Sequence, residues 1–144
     1  MNINFKRFDK SIDPPQYQTQ GSAGFDLPAR ARVVVPPWTP TLIPVNVAVQ
    51  IPKGYFLLLC SRSSMPKKKG LIVANSIGII DHDYRGDVDE IGLMVINFTK
   101  KDVIVESGER LCQGLILPVE RVEFVEKETF KDKNRGGFGT TGGY

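Results

Sequence analysis

The last ten residues of the chain combine phosphate-binding side chains with glycines that free the backbone. They read Arg-Gly-Gly-Phe-Gly-Thr-Thr-Gly-Gly-Tyr from Arg135 to Tyr144. The glycines let backbone N–H groups approach an anion, Thr140 and Thr141 add hydroxyl donors, and Arg135 adds a cation suited to phosphate. Phe138 has no apolar neighbour, so we expect it either to pack on something flat, such as a nucleobase, or to belong to a disordered tail.

A second set of phosphate donors follows an apolar run in the first half of the chain. Arg62 stands beside the hydroxyl groups of Ser63 and Ser64. A cation with adjacent hydroxyls suits a phosphate group, and the same serines could instead cap a short helix. Asp26 follows a glycine turn at the start of a predicted strand, where a simple β-turn carboxylate is the competing interpretation.

The segment Gly78-Ile-Ile-Asp-His-Asp-Tyr-Arg-Gly86 ends an apolar run with charged and aromatic side chains. Such polarity next to an apolar strand is costly unless it lines a site, so Asp81 and Tyr84 are candidate functional residues. His82, the single histidine, would point away from Asp81 if the segment were extended. Gln113 carries an amide into another apolar strand, and this amide needs either a ligand or structural hydrogen-bond partners.

Composition limits the class of protein. The 144 residues carry a net charge of +3, and 41% of them are hydrophobic, which suits one domain with a buried core. The mild charge suits an anionic small molecule and gives no reason to expect nucleic acid as a partner. No apolar run approaches the ~20 residues of a membrane span. Cys60 and Cys112 lie in apolar segments, so we expect two reduced core thiols in a protein of the cytoplasm, or of a host cytoplasm if the source is viral.

Short β-branched or aliphatic runs, separated by proline and glycine turns, predict strands along most of the chain. The clearest is a half-buried strand from Ile43 to Ile51, in which apolar and polar residues alternate. Val122 and Phe124 alternate in the same way near the end of the chain. A helical turn is predicted only after Ser64, where a nearby proline and glycine argue against length.

These strands predict an all-β fold, a jelly-roll-like barrel or sandwich. We expect this domain to occupy residues 1–127, because no linker composition occurs before that point. Residues 128–144 are polar and glycine-rich, so we expect a flexible segment there, called the C-terminal arm below.

Taken together and in order, the polar segments resemble the five motifs of the trimeric dUTPase family. The segments begin at Ala23, Ser61, Gly78, Gly108 and Arg135, and the third is the most specific. The resemblance implies a jelly-roll subunit, a homotrimer with shared active sites, and Mg²⁺-dependent hydrolysis of dUTP to dUMP and pyrophosphate. Such an activity keeps uracil out of DNA and supplies dUMP for dTMP synthesis. The resemblance also implies that the C-terminal arm closes over a neighbouring subunit's site.

Individual roles follow from the same resemblance. Asp81 matches the carboxylate that activates the attacking water as a general base. Tyr84 matches the aromatic residue that packs under the deoxyribose and disfavours a 2′-hydroxyl group. Asp26 matches a position that contacts the metal through water. The remaining matches bind the phosphates or the nucleoside, with the arm's aromatic residue stacking on uracil. These positions are Arg62, Ser63, Ser64, Asn75, Ile79, Ile80, Gln113, Arg135, Phe138, Gly139, Thr140 and Thr141.

Two of the departures from the family pattern affect candidate site segments. The segment 86–97 is longer than the usual turn and return strand, and the spacing between Arg135 and Phe138 is shorter. Because of the shorter spacing, Lys131 or Lys133 could take the role of Arg135. Two other functions stay open, namely a dCTP deaminase-type enzyme on the same fold and a non-catalytic nucleotide-binding or regulatory relative.

Overall fold

The computed structural model describes residues 1–137, and these contain eleven β-strands and one short helix, which confirms the predicted all-β class. The first six strands are β1 (Phe5–Arg7), β2 (Phe25–Pro28), β3 (Val33–Val35), β4 (Thr41–Pro44), β5 (Val47–Val49) and β6 (Tyr55–Ser61). The helix α1 (Met65–Lys69) is followed by β7 (Leu71–Val73), β8 (Gly78–Ile80), β9 (Gly92–Asn97), β10 (Val103–Val105) and β11 (Arg110–Pro118).

All strand pairs are antiparallel and form two larger sheets and two small ribbons. The larger sheets have the strand orders β2-β11-β6-β8 and β4-β9-β7, and the ribbons pair β1 with β5 and β3 with β10. One hydrophobic core contains buried side chains of both larger sheets, such as Leu57 and Leu59 of β6 and Leu93 and Val95 of β9. Alternate residues of β6 and β9 are buried, as expected for strands with one face on a core.

The prediction of one strand from Ile43 to Ile51 is wrong. β4 and β5 are separate elements that pair with β9 and β1 respectively. The break lies at Asn46, whose φ of 66° is in the left-handed region. The buried carboxamide of Asn46 binds the backbone of Asp9 at two points. The Asp9 N–H donates to Asn46 Oδ1 at 2.7 Å, and Asn46 Nδ2 donates to the Asp9 carbonyl at 2.9 Å. Residues 45–49 are all buried instead of alternating.

The helical turn predicted after Ser64 is present as α1, and it is short for the reasons that the sequence gives. Pro66 fits the first turn of a helix, where its missing N–H is not needed. Gly70 ends the helix with a φ of 66°, and its N–H donates to Pro66 O at 3.0 Å. Among the described residues, no helix has the length and apolar content required to cross a bilayer.

The two cysteines differ in burial. Both are free thiols, as predicted, but Cys112 is fully buried whereas Cys60 is half-buried, so the expectation of two core cysteines is wrong for Cys60. Burial raises the pKa of each thiol, because a thiolate is disfavoured away from water. Both side chains are therefore neutral thiols at physiological pH.

The chain that follows β11 leaves large apolar side chains in the open. Within the described part of the chain no strand follows Pro118, so the alternation of Val122 and Phe124 does not form a strand here. Phe124 is 93% exposed and Phe130 is 82% exposed. These side chains contribute nothing to the hydrophobic core of the described chain.

Replacing Asn46 tests the break between β4 and β5. Asn46→Ala should lower the free energy of unfolding by about 2–4 kcal/mol, because it removes two hydrogen bonds and places a Cβ-bearing residue without a polar side chain in the left-handed region. Asn46→Gly should cost less, since glycine tolerates a positive φ. Urea denaturation at fixed protein concentration measures both, and equal losses would show that the left-handed backbone imposes no strain.

Candidate functional site

Pairing of β11 with two neighbours places the polar motifs side by side. Gln113 lies opposite Asp26 of β2 on one side and opposite Cys60 of β6 on the other. Arg62 directly follows β6, and its backbone N–H donates to Leu111 O at 2.9 Å. Three segments that are distant in sequence therefore meet at one end of the four-stranded sheet.

The carboxylate of Asp26 lies between Arg62 and Arg110, and these three side chains are called the ion cluster below. Asp26 Oδ1 is 3.2 Å from Arg62 Nε, and Asp26 Oδ2 is 3.4 Å from Arg110 Nη1. The Asp26 side chain is only 7% exposed, so its charge would be costly without these cations. Because two cations face one anion, the ion cluster keeps an excess positive charge that suits an anionic ligand.

Arg110 is the functional candidate that sequence reasoning missed. It lies in the fourth polar segment, but only Gln113 of that segment was assigned a role. The signal was present, because an arginine at the start of an apolar strand needs a counter-ion or a ligand. The register of β11 against β2 was needed to show that the counter-ion is Asp26.

The side-chain amide of Gln113, which lies in an apolar strand, forms a hydrogen bond with the backbone. Its Nε2 donates to Ser61 O at 3.3 Å, and the side chain is half-buried. The amide fits against the chain at Gly24 only because that residue has no side chain. A Cβ at position 24 would lie 2.7 Å from Gln113 Oε1.

Two adjoining clefts flank the ion cluster. The larger, of about 620 Å³, is lined by Arg110 and by Gln18, whose amide oxygen accepts a hydrogen bond from the Arg110 guanidinium. The smaller, of about 390 Å³, is lined by Arg62 and Ser64 and also by Arg110. Ser63 is exposed beside it. The predicted phosphate-binding residues of this segment thus lie together around an open, positively charged surface.

The strand β8 provides a different kind of surface. It is the last strand of its sheet, and Ile79 and Ile80 pair with β6 on one side. Within the described chain the other edge of β8 has no neighbouring strand, so its backbone donors and acceptors are open to a ligand. Asn75 lies in the exposed turn before β8, where its carbonyl accepts from Ile77 N–H at 2.7 Å.

The chain turns directly after β8. Tyr84 N–H donates to Asp81 O at 3.2 Å and closes a turn that contains His82 and Asp83. Because the segment turns instead of extending, the condition under which His82 would point away from Asp81 is not met. Asp81, His82 and Asp83 all line one cleft of about 410 Å³, together with the exposed side chain of Ile79.

The predicted site residues fall into two groups in the single chain. The cleft of Asp81 shares no lining residue with the two clefts beside the ion cluster. Arg135 is exposed and lines none of these three clefts. The predicted arm residues Phe138, Gly139, Thr140 and Thr141 lie outside the described residues.

The acidic residues of the described chain do not gather into a dense cluster. Residues 1–137 contain no group of three or more acidic, histidine or cysteine side chains that could hold a metal. Asp26 Oδ2 is buried and accepts no hydrogen bond. Its charged neighbour is the Arg110 guanidinium at 3.4 Å, and the contact of Asp26 with a metal-bound water stays a prediction.

The fold and the site together define an antiparallel β-domain with a positively charged cluster at one end of a sheet. The family model for dUTPase matches residues 10–142, so the chain belongs to the dUTPase family. The deoxyuridine 5'-triphosphate nucleotidohydrolase of Hydrogenobaculum sp. (strain Y04AAS1) is 41% identical over 145 residues, which cover 99% of each chain.

Solved structures agree with this assignment. The dUTPase from Streptococcus mutans is 31% identical, with a TM-score of 0.76 over 83% of this chain and 98% of that one. The Staphylococcus bacteriophage 80alpha dUTPase with dUPNHPP is 27% identical, with a TM-score of 0.82 over 98% of each chain. The resemblance drawn from the five motifs is therefore confirmed.

Adding one methyl group at Gly24 tests the close approach of Gln113. Gly24→Ala should lower the free energy of unfolding by about 1–3 kcal/mol, because the new Cβ overlaps the Gln113 amide. Gly21→Ala is the matched control, since a Cβ there would have no atom within 4 Å. Chemical denaturation of both variants provides the comparison, and equal stability would contradict the approach of Gln113 to Gly24.

Proposed function

We propose that this chain hydrolyses dUTP to dUMP and pyrophosphate. One observation carries the proposal: a chain of the dUTPase family presents an anion-binding ion cluster and, on the edge strand of the same sheet, a turn that joins a carboxylate to a tyrosine. In a cell this activity would keep uracil out of DNA and would supply dUMP for dTMP synthesis.

The ion cluster would bind the triphosphate. Arg62 offers a planar guanidinium that is partly exposed, and Ser63 and Ser64 add hydroxyl donors beside it. Gln113 is directed to the same end of the sheet by its hydrogen bond to Ser61 O. Asp26 would keep Arg62 in place, because their ion pair is largely withdrawn from water.

The nucleoside would bind along the open edge of β8. Uracil presents an alternating set of donors and acceptors, which the backbone groups of Ile79 and Ile80 could match as an additional strand would. Asn75 would contact the nucleoside from the preceding turn. The ring of Tyr84 would lie under the deoxyribose, in the space that a 2′-hydroxyl group would need.

Asp81 would act on the water. Its carboxylate is exposed at the cleft beside β8, so it can accept a proton from a water molecule that attacks phosphorus. A new P–O bond forms as the bond to the pyrophosphate oxygen breaks, and Arg62 helps to balance the charge of the leaving group. Mg²⁺, when bound, would neutralise charge on the triphosphate, and Asp26 would hold one of its water molecules.

A homotrimer would bring the two groups of residues together. The single chain places Asp81 and the ion cluster in separate clefts, so a complete site needs a second subunit. The segment after β11 exposes Val122, Phe124 and Phe130, which would be covered by a neighbour. The C-terminal arm would then close over a site with Phe138 on uracil and with Arg135, Gly139, Thr140 and Thr141 on the phosphates.

Replacing Asp81 by asparagine tests the assignment of the base. Asp81→Asn should reduce turnover of dUTP by about 10²–10⁴-fold, the usual effect of losing a general base, while dUMP binding persists. Asp102→Asn, at an exposed carboxylate outside the three clefts, should keep wild-type turnover. Pyrophosphate release measures both, and near wild-type turnover in Asp81→Asn would remove Asp81 from the mechanism.

A mixing experiment tests whether sites are shared. Full-length Asp81→Asn chains and wild-type chains truncated after Lys127 should each be nearly inactive, and their mixture should regain activity after subunit exchange. The control mixture carries Asp81→Asn in both chains and should stay inactive. Sedimentation would report the assembly, and an active monomer would contradict the trimer.

A further inference from the structure

The hydroxyl group of Tyr84 is held by a residue of the segment between β8 and β9. Tyr84 Oη donates to the backbone carbonyl of Glu90 at 3.1 Å. Glu90 lies between the turn that follows β8 and the start of β9. The Tyr84 side chain is 42% exposed, so packing alone does not fix the ring and the hydrogen bond at its tip has a large effect on its position.

Glu90 is itself anchored to the core by its side chain. Its Oε1 accepts from Arg30 Nε at 2.7 Å and from Asn46 N–H at 3.0 Å. The Glu90 side chain is 15% exposed and the Arg30 side chain 38%, so the pair is partly withdrawn from water. The hydrogen bond that Arg30 donates to Glu90 raises the pKa of Arg30, because the carboxylate favours the charged guanidinium.

The two attachment points of Glu90 are rigid. Asn46 is fully buried and is tied to the N-terminal segment through Asp9. The residue after Glu90, Ile91, exchanges backbone hydrogen bonds with Val45 and Val47, both at 2.9 Å. The carbonyl of Glu90 therefore occupies a fixed point, although residues 85–88 before it are exposed.

We propose that Glu90 is a positioning residue for Tyr84 and thereby sets the discrimination between deoxyribose and ribose. The inference rests on the proposed function, because it takes the Tyr84 ring as the surface under the sugar. The ring is held at its backbone by the turn with Asp81 and at its hydroxyl by the Glu90 carbonyl. A ring held at both ends cannot swing aside to make room for a 2′-hydroxyl group.

The test compares kcat/KM for dUTP and for UTP. Glu90→Ala frees the carbonyl from Arg30 and Asn46, and Tyr84→Phe removes the hydroxyl while keeping the ring. Each substitution should lower the ratio of kcat/KM for dUTP to kcat/KM for UTP by about three- to tenfold, the size expected for the loss of one hydrogen bond. Glu90→Gln keeps an oxygen acceptor, so its ratio of kcat/KM values should stay close to that of the wild-type chain.

A second ion pair supplies the matched control. Arg32 and Glu106 are also joined at 3.5 Å, but both side chains are largely exposed and neither lines the clefts described above. Glu106→Ala should leave the ratio unchanged. A merely structural role for Glu90 would lower stability or activity on both nucleotides together, and the ratio would not move.

The outcomes separate this inference from the proposed function. An unchanged ratio in Glu90→Ala and Tyr84→Phe, together with a lowered ratio in Tyr84→Ala, overturns the role of Glu90 and leaves Tyr84 as the sugar contact. Because Tyr84→Phe keeps the Glu90 anchor intact, it decides the question even if Glu90→Ala unfolds. A wild-type chain that hydrolyses dUTP and UTP equally well overturns both the role of Glu90 and the proposed function.

Discussion

The burial of one carboxylate determines how the sheet around it is arranged. An aspartate that is nearly withdrawn from water must be compensated by cations, and Asp26 obtains them from Arg62 on one side and Arg110 on the other. These arginines lie at the end of β6 and the start of β11, so the ion pairs hold only if β11 is the neighbour of both β2 and β6. The same arrangement that satisfies the carboxylate gathers the cations that an anionic substrate would meet.

The predicted site residues on and after β8 depend on a different feature, the position of this strand at the edge of its sheet. β8 is at the edge of its sheet, and an edge strand presents unpaired backbone groups that attract another strand. In this chain the strand is short and is followed at once by the turn from Asp81 to Tyr84, which limits such pairing. The exposed edge is thus suited to a small planar ligand, and the proposed trimer gives it a neighbour that carries the other half of the site.

Sequence reasoning worked where one local rule decided the structure. β-branched runs became strands, and the helix after Ser64 ended at Gly70 because glycine adopts a left-handed cap. It failed at Asn46, because an alternating pattern contains no information about a positive φ. It also missed Arg110, since a register between distant strands cannot be read from either strand alone. The family was found through the resemblance of ordered motifs, which no single motif would have supported, and the candidate site residues were assigned from it.

The pairing of β2 with β11 also has a consequence for how the protein is made. Asp26 leaves the ribosome early, whereas its partners on β11 follow only after most of the chain has been synthesised. Until β11 has been synthesised, Asp26 cannot form its ion pair with Arg110, and this sheet stays incompletely paired. Closing so long a loop is entropically costly and slows folding. The completion of the ion cluster is therefore a late event in the biosynthesis of the chain.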